Sequence, residues 1–156
     1  MLTALPAGEL FDLVLCHFVL EVVDDPASTL QQTAGVLRPG GQLSTASANR
    51  AGAVLARAVG GHPVEARALL EGSAPDPAPA RGGPARRRFT PDELFALLTG
   101  AGLEPGEWRG VSVVTDLLGA ATGADPDALR TLELALAGAS PYRDVATSLH
   151  VLATRP

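Results

Sequence analysis

A single histidine, His17, closes the apolar run Leu13-Val14-Leu15-Cys16 that follows Phe11 and Asp12, and three consecutive arginines, Arg86-Arg87-Arg88, follow a stretch that also holds Arg81. An imidazole at the carboxyl end of a buried strand stands where open α/β sheets bind their ligands, so His17 is a candidate binding residue. The alternative is a polar strand-end side chain bonded to nearby backbone. The arginine run, with Phe89 after it, could track phosphates from a loop or could simply be a solvated face. His62 and His150 have no partners at ligand spacing, and the sequence holds no zinc pattern.

Leu13 to Cys16, with Phe11 before them, run without polar alternation, as expected of a strand buried on both faces of a parallel sheet. Asp25-Pro26 supplies an N-cap and the one helical position that tolerates proline, which predicts a helix to about Leu37. Arg38-Pro39-Gly40-Gly41 stops that helix, and Gln42 to Ala46 reads as the next strand, completing a β-α-β unit. Further along, Asn49 caps a helix to Val59, and Val64 to Leu70 forms a short one. Residues 72–88, rich in proline, glycine and arginine, read as a flexible loop.

Thr90-Pro91-Asp92-Glu93 is a capping box that opens a helix over Asp92 to Leu98. A strand over Glu107 to Val114, a helix from Asp125-Pro126 to Leu136 and a strand over Thr147 to Thr154 complete the series. The fold class is therefore α/β, resembling the second half of a doubly wound sheet.

At 156 residues the chain suffices for one domain with a real core. Its hydrophobic fraction of 46% points to a folded protein, because such a chain can bury enough apolar surface to offset ordering entropy. A net charge of -5 provides no global basic field, so any RNA contact must be local. All 12 basic residues are arginine. Cys16 alone cannot form an intrachain disulfide, which fits a reducing cytoplasm, and neither a membrane-length apolar stretch nor an export signal is visible.

The segments FDLVLCHFVLEVVDDP and VLRPGG resemble the fourth strand, following helix and fifth strand of class I S-adenosylmethionine-dependent methyltransferases. Asn49 to Gly52, Gly110 to Val113 with Asp116, and Ser140-Pro141-Tyr142 leading to Leu149-His150-Val151 extend the likeness toward the bacterial tRNA 5-carboxymethoxyuridine methyltransferases. The resemblance implies strands four to seven of a Rossmann-like sheet, with the last two antiparallel and residues 1–156 forming a single partial methyltransferase domain. Met1 would then begin where about half the fold should already be built, leaving the edge of the first strand open to a partner or a second copy.

The same resemblance implies S-adenosylmethionine as methyl donor, contacted by His17, and tRNA as acceptor, contacted by Arg81, Arg86, Arg87 and Arg88, with Asn49 in the acceptor pocket. The Asn/Asp-Pro-Pro-aromatic tetrapeptide of many amino methyltransferases is replaced by Cys16-His17-Phe18-Val19, which favours oxygen, carboxylate or carbon acceptors. A carboxylate acceptor needs a clamp more than a base, and Arg143 beside Tyr142 is the candidate. A surface arginine after a turn is the plainer reading, as a cap and a packing glycine are for Asn49 and Gly52. A small-molecule O- or C-methyltransferase and a non-catalytic interaction module stay open as alternatives.

Overall fold

The computed structural model describes residues 8–72, 86–118, 123 and 125–156. Arg81 and most of the expected flexible loop lie outside the described residues. The first unit is strand β1 (Phe11–His17), helix α1 (Pro26–Gly35) and strand β2 (Leu37–Ala48). Asp25 starts α1 as its sequence demands: the backbone N–H of Ser28 donates to Asp25 Oδ1 at 3.0 Å, with Pro26 in the first turn. Helices α2 (Arg50–Val59), α3 (Pro63–Leu70) and α4 (Pro91–Gly100) follow, then strand β3 (Glu104–Val111), helix α5 (Pro126–Leu136) and strand β4 (Ser148–Thr154). The capping box of α4 is complete, with Thr90 and Glu93 each accepting from the other's backbone N–H.

The four strands form one sheet in the order β1-β2-β4-β3. β1 and β2 are parallel, and β4 runs antiparallel to both β2 and β3, as the sequence resemblance implies for the last two strands. One face carries Cys16, Leu43, Leu149, Val151 and Ala153, packed with Leu30 and Ala34 of α1, Leu94 and Leu98 of α4, and Leu20, Leu37, Phe89 and Leu103. This is the core.

The opposite face corrects the expectation that β1 is buried on both sides: Leu13 is 53% and Leu15 63% exposed. Among the described residues, helices cover only one side of this edge strand, so side chains alternate between core and open surface. β2 also begins earlier than expected, at Leu37, because Arg38-Pro39-Gly40-Gly41 continues the strand through an irregular register. Gly40 takes φ 77°, and a Cβ on Gly41 would stand 2.8 Å from the Arg38 carbonyl oxygen. Glycine is therefore needed for a bulged strand start, where the sequence suggests a helix stop. Arg155 then closes the end of α1, donating to the Ala34 carbonyl at 3.0 Å and to that of Leu37.

Candidate functional site

His17 and His150 meet on the open face of the sheet. Ala46 pairs with both residues, so the two histidines flank it from β1 and β4. Ser44, two residues back on β2, points to the same face. Its Oγ lies 2.8 Å from Nε2 of His17 and 2.8 Å from Nε2 of His150. The imidazole rings stand edge to face with centroids 5.9 Å apart. Burial, and next the neighbouring His17, holds the His150 imidazole below its ordinary pKa.

Beyond His150 a cavity of about 390 Å³ opens between the sheet and α5, lined in part by Arg109, Val111, Ser112, Arg130 and Glu133. Glu133 fixes one wall. It accepts from the backbone N–H groups of Val113, Val114 and Thr115 at 2.7 to 2.9 Å, and from the Thr115 hydroxyl. Burial alone would raise the pKa of this carboxyl group, but those donors outweigh it and lower the value.

Phe18 follows His17 at the carboxyl end of β1 with φ 55°, a conformation uncommon for a bulky residue, and its side chain is 53% exposed. Its backbone N–H still donates to the Ala46 carbonyl at 2.8 Å, so the turn away from the sheet happens within this residue. Strain of that kind, on the order of 1–3 kcal/mol, collects at ligand sites. Nearby, Glu21 is 3% exposed and accepts from the Ala48 N–H at 2.6 Å, which fastens the loop after β1 to the end of β2. The sequence suggests only a loop residue there. Burial, then the Glu21 charge, pushes the Cys16 thiol up to about 11.

The other sequence candidates sit elsewhere. Arg143 stacks on Trp108 at 4.5 Å and donates to the Trp108 carbonyl, so its guanidinium braces β3 on the core side; Tyr142 beside it is 54% exposed. Asn49 is 1% exposed, and its amide donates to the carbonyls of Asp144 and Ala146 while its Oδ1 caps α2. Arg87 donates to the carbonyls of Val23 and Asp24, Arg86 is exposed, and the Arg88 carbonyl accepts from Arg50. None of these is among the residues that line the cavity. Sequence reading missed Ser44, His150 and Phe18, for which only the likeness around Leu149-His150-Val151 offered a signal.

Residues 2–45 match the family described as "Methyltransferase domain". The ubiquinone biosynthesis O-methyltransferase of Ruegeria pomeroyi is 40% identical over 104 residues, covering 67% of this chain and 38% of that protein. The chain thus spans less than two-fifths of the length of that curated relative. A SAM-dependent methyltransferase from Thermotoga maritima superposes with a TM-score of 0.55 at 18% identity, covering 95% of this chain and 57% of the other. The cyclase SpnF shares the fold at TM-score 0.52 and 16% identity, covering 98% of this chain and 54% of its own, so the architecture alone does not set the chemistry. In sequence match and in fold, this chain groups with the class I S-adenosylmethionine-dependent methyltransferases over the part that it spans.

Proposed function

We propose that this chain serves methyl transfer from S-adenosylmethionine to an oxygen atom of a small-molecule acceptor. The observation that carries the proposal is the imidazole of His17 at the carboxyl end of β1, held by Ser44 and backed by His150. The 40% identity to an enzyme named for ubiquinone O-methylation supports the oxygen acceptor. The narrower tRNA reading has less support: the matched relative is named for a small molecule, and Arg87 is committed to the carbonyls of Val23 and Asp24.

The residues present fit such a donor. Phe18 offers a half-exposed aromatic surface for a purine, and together with His17 it stands where parallel sheets receive nucleotides. When bound, S-adenosylmethionine supplies a methyl group on a sulfonium, open to in-line attack by an oxygen lone pair. The task left to the chain is to orient the acceptor oxygen and, where it carries a proton, to remove it. Glu21 and Glu133 hold the surrounding backbone while this happens.

A homodimer is proposed alongside. β1 lies at the edge of the sheet, so the backbone groups on its outer side have no strand partner among the described residues, and Leu13 and Leu15 stand exposed beside them.

The test is incubation with methyl-labelled donor and, in parallel, a phenolic small molecule and a tRNA bearing carboxymethoxyuridine. Label in the phenol alone is expected. Label in the tRNA alone would return the reading to RNA, and label in neither would overturn the proposed activity for this chain.

A further inference from the structure

We infer that His17, Ser44 and His150 form a proton relay that carries a hydroxyl proton from the acceptor at β1 to the cavity beside α5. The inference rests on the O-methyl transfer proposed above and narrows its acceptor to a group that must lose a proton, such as a phenol.

The argument begins with hydrogen counting. A serine hydroxyl has one proton and can donate only once. Ser44 Oγ nevertheless lies 2.8 Å from an imidazole Nε2 on either side. Oγ could accept from both rings only if its own proton had a third partner, and none is found among the described residues. With both rings neutral, one ring donates its Nε2–H to Oγ while Oγ–H donates to the Nε2 of the other. The two histidines therefore hold opposite tautomers. Ser44 is 6% exposed, so bulk water does not offer it ready alternative partners.

Opposite tautomers joined by a hydroxyl can move a proton without gaining charge. In the starting state His17 carries its proton on Nε2 and His150 carries its own on Nδ1. The acceptor O–H bond breaks and a new N–H bond forms at Nδ1 of His17. The Nε2 proton of His17 passes to Ser44 Oγ, the Oγ proton passes to Nε2 of His150, and the Nδ1 proton of His150 leaves to water in the cavity. One proton has passed along the open face from β1 to β4, the acceptor oxygen keeps the bonding pair, and the two tautomers have exchanged.

The surroundings suit a neutral pair. Arg109 stands opposite His150 on β3, and Arg130 and Glu133 of α5 line the cavity with it. An added proton on each ring would place two cations with ring centroids 5.9 Å apart. A carboxylate acceptor would have no use for the relay, because it is already ionised at neutral pH.

The test uses the full 156-residue chain with nitrogen-15 in its histidines. Ring-nitrogen spectra at pH 8 are expected to show opposite tautomers for His17 and His150, and a pH titration to show one ring shifting as the other protonates. Ser44→Ala, checked for folding by its amide spectrum, is expected to abolish both signatures. Like tautomers in the wild type, or titrations unchanged in Ser44→Ala, would overturn the relay. Methyl transfer separates the two ideas. Ser44→Ala should slow transfer to phenol about 100-fold more than transfer to the readily ionised 4-nitrophenol, the low end of what acid–base assistance contributes. Equal losses on both acceptors would overturn the relay while leaving O-methyl transfer standing. If the wild type methylates neither phenol, the O-methyl transfer reading fails, and the spectra alone decide whether the coupled pair exists.

Discussion

Gly52 and Gly35 both lie in helices, yet the same substitution at each is expected to have opposite effects. A Cβ built on Gly52 would stand 2.3 Å from the Ala146 carbonyl oxygen, 2.8 Å from the Ala146 carbonyl carbon and 2.9 Å from the Thr147 Cα. All three atoms are backbone, so no rotamer change relieves the clash. Overpacking of this kind costs about 1–3 kcal/mol. Displacing Ala146 also disturbs the 2.8 Å bond that its carbonyl accepts from the Asn49 amide, a loss of about 1 kcal/mol. The gain from replacing a helical glycine returns roughly 0.5–1 kcal/mol. Gly52→Ala should therefore destabilise by about 1–3 kcal/mol on balance. At Gly35 a Cβ meets nothing within 4 Å, so Gly35→Ala should stabilise by about 0.4–1 kcal/mol through the unfolded chain. Urea unfolding followed by circular dichroism measures both. A Gly52→Ala midpoint equal to or above wild type would refute the packing of α2 against the segment that leads into β4.

Three further outcomes follow from the same geometry. Cys16 is 5% exposed and its thiol is pushed up to about 11, so it should resist alkylation at pH 8 in the native state and react at once in urea; rapid native labelling would contradict its placement in the core. Glu133 has a folded pKa below its ordinary 4.5, so its contribution is present above that value and lost as pH falls through the lowered one. Wild-type stability should consequently fall more steeply than that of Glu133→Gln on acidification below pH 5, and parallel urea-midpoint curves would contradict the bonds to Val113, Val114 and Thr115. For the proposed homodimer, sedimentation equilibrium should find a dimer that Leu13→Arg with Leu15→Arg converts to monomer; a monomer in the unaltered chain would refute pairing along β1.

Much of the framework was legible because local chemistry agreed with the fold. Asp25-Pro26, Thr90 with Glu93, and Asp125-Pro126 each started the helix that their side chains cap. Prediction failed where a tertiary contact overrode the local signal. Pro39-Gly40-Gly41 reads as a turn, yet the Gly40 N–H donates to the Arg155 carbonyl and the Arg155 N–H to the Gly41 carbonyl, drawing the segment into the sheet. Arg143 reads as a free clamp until Trp108, 35 residues away, takes its face. His17 was recognisable from its place at a strand end. Its partnership was not, since Ser44 lies 27 residues from His17 and 106 from His150, and no local pattern encodes contacts at those separations.

Donor binding at the carboxyl end of β1 is tested most directly by calorimetric titration of S-adenosylmethionine into the 156-residue chain and into its Phe18→Ala variant. Binding at roughly 1–100 μM, about −5.5 to −8 kcal/mol, weakened at least about 10-fold in the variant, is the result predicted. No heat from a folded sample, or equal affinity in the variant, would contradict a donor site built on His17 and Phe18.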